Sequence, residues 1–213
     1  MRGWVLFCVA VVCAIGIGRE ARADWDFQLG VGYSQVNLGN GPFDGRGGAR
    51  IEPRFSFGPD SLPQLRLGIG VGFSGYWNDI RGDTDVIVID GDTIFVDSSD
   101  VESLSLIEPE FQLSWRQPLG MRDGRGFYVE GGVGVGGVIA NYWVGSSWGW
   151  DEFKSEWDAA FEVRPFVRAA YQWEKWQVGL EGSYMFGQEL DFSPRVRGDI
   201  EEWYVGGFFG IRF

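Results

Sequence analysis

The sequence predicts an all-β protein, an eight-stranded antiparallel up-and-down transmembrane β-barrel. Three observations carry that reading. Eight segments alternate strictly, each with one uncharged apolar face; aromatic residues gather at the segment ends; and the opposite faces combine arginine and glutamate with many glycines. The 213 residues include 34 Gly, 17 Phe, 11 Trp and 7 Tyr, a composition of closely packed strands.

The chain begins "MRGWVLFCVAVVCAIGIGREARA", with a positive residue at Arg2, an apolar run from Trp4 to Gly18, and Ala21 and Ala23 ahead of Asp24. This is the layout of a secretory signal peptide over 1–23, cleaved so that the barrel domain, 24–213, starts at Asp24. Cys8 and Cys13 leave with it, so the mature chain forms no disulfide. Cleavage also removes Arg2, Arg19, Arg22 and Glu20, leaving 15 basic and 29 acidic residues, a net charge of −14. Nucleic acid is excluded as a partner on that balance. No later apolar stretch approaches the roughly 18–20 residues of a membrane helix, so a membrane role must come from strands.

The first segment, "DWDFQLGVGYS", shows Trp25, Phe27, Leu29, Val31 and Tyr33 on one face. The second, "ARIEPRFSF", shows Ile51, Pro53, Phe55 and Phe57; the third, "LRLGIGVGF", shows Leu65, Leu67, Ile69, Val71 and Phe73. "IEPEFQLSW" and "FYVEGGVGVGGVI" continue with Phe111, Leu113 and Trp115, then Phe127, Val129, Val133 and Val135. "FEVRPFVRAAYQW", "WQVGLEGSYMF" and the terminal "WYVGGFFGIRF" complete the eight. None of these apolar faces carries a charge, whereas about a quarter of residues in an ordinary chain do.

Alternation leaves open which face is inside, since a soluble barrel buries its apolar face and a membrane barrel turns it to lipid. Three features choose lipid. Aromatics form two levels, Trp25, Phe57, Trp115, Phe127, Trp173, Trp176 and Phe213 at one, and Tyr33, Trp143, Phe161, Phe186 and Trp203 at the other, as interfacial girdles do. The minority face balances seven Arg (50, 54, 66, 116, 164, 168, 212) against Asp26, Glu52, Glu108, Glu110, Glu130, Glu162 and Glu181, although the chain as a whole is acidic. Glycines at 68, 70, 72, 132, 134 and 136 then leave room beside those long side chains. A shared interior network of Glu52, Arg54, Glu108, Glu110, Glu130, Arg164, Arg168 and Glu181 is the expectation.

Short connections after even segments ("GPDSLPQ", "RQPLGMRDGRG", "EK") and longer ones after odd segments put both termini on the periplasmic side. "IEPRF", "IEPEF" and "VRPFV" recur every 56 residues around Pro53, Pro109 and Pro165, and each proline is expected to mark a bulge. The chain ends on Phe209, Ile211 and Phe213 at alternate positions. Over residues 24–213 it resembles the small eight-stranded outer-membrane β-barrels, the class of OmpX, OmpW and the membrane half of OmpA. That resemblance implies that Phe209, Ile211 and Phe213 are a C-terminal signal read by the barrel-assembly machinery. It also implies a monomer in outer-membrane lipid, with strand eight closing on strand one.

The chain has no histidine, so Ser-His and Asp-His hydrolase sites cannot be built, and with the cysteines lost no His/Cys zinc set exists. Glu108 and Glu110 are read as part of the ion-pair interior rather than as a catalytic pair. No catalytic, cofactor or metal site is expected there. The acidic stretch 78–102 contains "VIVIDGDTIFV", a hairpin pattern around Asp90-Gly91, and is expected to project as a β-finger. It is read as a solvated acidic loop, with divalent-cation binding or strand pairing with an extracellular partner as the alternatives. Function is expected to be structural or surface-interacting, the alternative being a narrow porin-like channel for small or hydrophobic solutes.

Overall fold

Strands that alternate apolar and polar residues must satisfy their backbone groups with neighbours on both sides, and in hydrocarbon only closure does this for every strand. The computed structural model, which describes residues 24–39, 42–59, 61–79, 85–89, 92–96, 100–146, 152–193 and 196–213, has ten strands. They are β1 (Asp24–Leu38), β2 (Arg46–Gly58), β3 (Leu65–Asp79), β4 (Asp85–Ile89), β5 (Asp92–Val96), β6 (Asp100–Arg122), β7 (Arg125–Ser146), β8 (Glu152–Trp173), β9 (Trp176–Ser193) and β10 (Val196–Arg212). Eight close in the order β1-β10-β9-β8-β7-β6-β3-β2, all antiparallel, while β4 and β5 pair with each other as a separate hairpin. The signal-peptide reading falls on residues 1–23, outside those described.

The closing seam runs from Asp26 opposite Arg212 to Leu38 opposite Ile200. The last residue is held in it: the Phe213 N–H donates to the Trp25 carbonyl at 2.8 Å, while its ring faces outward at 70 % exposure. Phe209 and Leu180 also face outward, as do Val31, Phe55, Ile69, Phe111, Val135 and Val167. In water these side chains would be an aggregation surface; against lipid they form the band that holds the barrel in the membrane. Trp25 touches Phe57 and Trp176 touches Phe209 at the periplasmic end, and Tyr33 touches Trp203 at the other. Trp143 lies further along β7 than the Gly137–Phe161 pair, at the level of Trp77, with Ser103 of β6 between them, and two residues beyond the Asn141–Trp157 pair.

The connections differ from expectation in two places. The segment 116–126 is not a loop: β6 runs to Arg122 and turns at Asp123–Gly124, both at positive φ, the two-residue turn that suits the right-handed twist of a hairpin. On the outer side, the stretches expected as long loops continue as paired strands, with β7 reaching Ser146 and β9 and β10 flanking only residues 194–195. The apolar-out pattern ends near Tyr33 and Phe186, and beyond that level it inverts. Gln35, Asn37, Ser103, Ser105 and Asn141 now face out, while Val36, Leu38, Leu104, Leu106 and Ala140 are buried inside. A β-bulge, with one extra residue in β9 between Phe186 and Glu189, re-aims that strand so that Leu190 and Phe192 join the inward set.

The three repeat prolines mark no bulge. Pro53, Pro109 and Pro165 pair in register with β1, β3 and β7, and on their other flank the ladder breaks locally and resumes in the same register. A missing N–H removes a hydrogen bond on one side only, and that is a smaller disturbance than an inserted residue.

Candidate functional site

The lumen is built from the even-numbered positions of β1, β2, β3, β6, β7, β8 and β10 and the odd positions of β9 within the membrane band. Glycine makes its central tiers fit. A Cβ at Gly72 would overlap the Arg50 guanidinium, and one at Gly134 would overlap the Glu110 carboxylate. Adjacent strands therefore alternate empty positions with long charged side chains, and the guanidinium groups reach across a lumen that two facing arginines would otherwise overfill.

Charge runs through the lumen as one connected chain. Nearest the outer side, Arg50 and Arg164 share Glu108 and Glu202, with Arg50 Nη1 3.1 Å and Arg164 Nη1 2.9 Å from Glu202 Oε2. Ser74 donates to Glu202 at 2.8 Å and the Tyr76 hydroxyl donates to it as well. Arg50 then meets Glu52 at 3.0 Å, Glu52 meets Arg54 at 3.3 Å, and Arg54 pairs with Glu181. Arg168 bridges Glu181 at 2.7 Å and Glu130 at 3.0 Å, and Arg116 bridges Glu130 at 2.8 Å and Asp26 at 2.9 Å, where Arg66 also binds. Four of these guanidinium groups lie over aromatic rings: Arg50 on Tyr204, Arg54 on Phe208, Arg116 on Tyr128 and Arg168 on Phe166, the last at 3.9 Å.

All eight residues singled out from the sequence lie in this chain, Glu110 at its margin, 3.8 Å from Arg164 and bonded by Gln112. Glu202 falls just outside the last alternating segment, which begins at Trp203; its place two residues before the inward Tyr204 is the signal that marks it. Arg50, on the inward face but outside the network expected from the sequence, is fully buried and touches three carboxylates. Charge is unevenly spread around it. Arg50 and Arg164 face Glu52, which Arg54 shares, and Glu108, Glu110, Glu162 and Glu202, and among the described residues neither Glu162 oxygen accepts a hydrogen bond.

Above the charged tiers the lumen is filled by an apolar layer that the sequence did not announce. Val36, Leu38, Leu104, Leu106, Val138, Ala140, Met185, Leu190, Val196 and Ile200 pack together there. Each fully buried aliphatic side chain of this size contributes about 1.5–3 kcal/mol by leaving water. Phe43, from the β1–β2 connection, lies edge-on to Tyr142, which contacts Phe192. Tyr142 and Asn78 donate to Glu102 at 2.8 and 2.9 Å, so the top of this layer carries its own polar clasp. Of the acidic stretch 78–102, only Asn78 and Glu102 have described side chains. Asp83, Asp90 and Asp97 lie outside the described residues, and the hairpin β4–β5 is seen as backbone.

At the rims, the Glu174 carboxylate holds the Arg125 guanidinium above its ordinary pKa, and Glu189 does the same for Arg197. Both pairs are exposed and screened by water, so they mark the rims without holding the barrel together.

By sequence the chain matches no family model and no curated protein. By structure it is similar to Neisserial surface protein A, with a TM-score of 0.56 at 10 % identity, covering 89 % of this chain and 97 % of that one. The fold is that of the small outer-membrane barrels. Two further similar structures are Ail, the attachment invasion locus protein of Yersinia pestis (11 % identity, 90 % and 99 % covered, TM-score 0.47), and the outer membrane protein AlkL (15 %, 91 % and 91 %, 0.36).

Proposed function

We propose that this chain is a closed outer-membrane barrel with a structural or surface-interacting role, and that it neither conducts solutes nor catalyses a reaction. One observation carries the reading: the lumen is filled twice over, by the Arg50–Glu108–Arg164–Glu202 tier and by the apolar layer beneath Phe43. An eight-stranded barrel has interior room only for side chains or one small ligand, and here side chains take it. The strands that rise beyond the lipid band, with the β4–β5 hairpin, then supply the surface that meets partners outside the cell.

Planar-bilayer recording on refolded protein tests this directly. Wild type should show no steady conductance. Arg164→Ala should also stay closed, because the apolar layer above it is untouched, whereas Arg164→Ala combined with Leu104→Ser and Ile200→Ser should leak. Steady conductance in wild type would favour the narrow-channel reading instead.

A further inference from the structure

The periplasmic mouth of the barrel holds a partly open cavity of about 180 Å³, lined by Arg66, Arg116, Arg212, Tyr128 and Gln172 together with Pro118 and Met121, and rimmed by the β2–β3 turn. On its wall the Arg116 guanidinium lies over the Tyr128 ring at 4.3 Å. At about 30 Å³ per water, this space holds roughly six waters or one tetrahedral oxyanion among them.

Its donors outnumber its acceptors. Asp26 is shared by Arg66 and Arg116, Glu130 is shared by Arg116 and Arg168, and Asp24 pairs with Arg212 at the rim. Among the described residues, Arg66 Nε and Arg116 Nη2 have no hydrogen-bond partner, and neither do the amide nitrogens of Gln28 and Gln177 on the next rung. Asp26 Oδ1 is the matching unpaired acceptor. Arg66 is 2 % exposed and Arg116 8 %, their unpaired Nε and Nη2 atoms have almost no accessible surface, and both side chains line the cavity, so a ligand there meets the remaining edges of the two guanidinium groups. A buried guanidinium nitrogen without an acceptor is costly, and a planar fork of N–H donors matches phosphate oxygens two at a time.

We propose that this mouth is a phosphate-binding site in which Arg66 and Arg116 supply the deep donors and Arg212, with Gln172, the outer ones. The inner face of the outer membrane offers two sources of that group, free inorganic phosphate and the headgroup of an anionic phospholipid. Arg212 is part-exposed at the rim, within reach of either. The inference goes beyond the closed-barrel reading and does not depend on it, since the cavity lies below the packed tiers.

The test is phosphorus NMR of inorganic phosphate titrated onto the full refolded chain in octyl glucoside micelles, with chloride at matched ionic strength as the control. Saturable broadening that chloride does not reproduce is expected. Arg212→Gln should weaken it several-fold and Arg66→Gln with Asp26→Asn at least tenfold, folding of each variant being checked by heat-dependent gel mobility. If the double variant fails to fold, the Arg212→Gln result decides alone. Short-chain phosphatidylglycerol that displaces the phosphate identifies a lipid headgroup as the source; failure to displace it identifies the free ion. Absence of saturable broadening, or broadening unchanged in the folded Arg212→Gln variant, overturns the proposal.

Discussion

Arg164 and Glu162 sit two residues apart on β8, both buried and both facing the lumen, yet substitution should affect them in opposite directions. Arg164 is 1 % exposed and is shared by Glu108 and Glu202, with Glu162 at 3.5 Å. Arg164→Met keeps much of the stem volume and removes the charge, leaving the carboxylates of that tier to Arg50 alone. Breaking a buried pair by removing one partner costs about 3–5 kcal/mol. With a urea slope of about 2 kcal/mol per molar, the unfolding midpoint should fall by about 2 M. Glu162→Gln removes one of five carboxylates facing two arginines, one of them, Glu52, shared with Arg54, and neither Glu162 oxygen accepts a hydrogen bond among the described residues. Its midpoint should be unchanged or higher. Tryptophan fluorescence of refolded protein in urea, with gel mobility as an independent probe, measures both. An Arg164→Met midpoint equal to wild type, or a Glu162→Gln loss as large as that of Arg164→Met, would refute the reasoning that the tier is short of cations.

Gly134→Val should impair refolding sharply, because its Cβ would overlap the Glu110 carboxylate, whereas Gly131→Val on the same strand should not, since nothing lies within 4 Å of a Cβ there; yields of heat-shifted barrel compare them. Deleting Phe213 removes the final hydrogen bond to Trp25 and the outward ring, so less folded protein should reach the outer membrane, as fractionation and heat-modifiability would report. The intact mass of purified protein should correspond to a chain beginning at Asp24, and retention of residues 1–23 would overturn the secretory reading.

Much of this barrel was legible in one dimension because the membrane imposes a strict rule. Where one face meets hydrocarbon, alternate residues must be apolar, so Phe55, Ile69, Phe111, Val135 and Phe209 declare the frame of their strands without knowledge of their neighbours. The same rule placed Glu52, Arg54, Arg164 and Arg168 inside. It failed above the lipid, where water replaces hydrocarbon and the strands turn inside out: Leu104 and Leu106 point in while Ser103 and Ser105 point out, a pattern that reads locally as the wrong frame. The bulge in β9 adds a frame change that no local signal marks.

By itself, then, the sequence determined the strand frames, the charged interior, the close glycines and the seam-forming last strand, because each depends on local alternation and residue size. Only the tertiary structure decided which charges meet. Arg50 and Glu202 are separated by 152 positions and come together because closure sets β1 between β2 and β10. It also decided that Phe43 caps the lumen and that Arg66 and Arg116 share Asp26 at the periplasmic mouth. Partner choice inside a closed barrel follows from register and shear summed around the whole circle, and no single segment carries that sum.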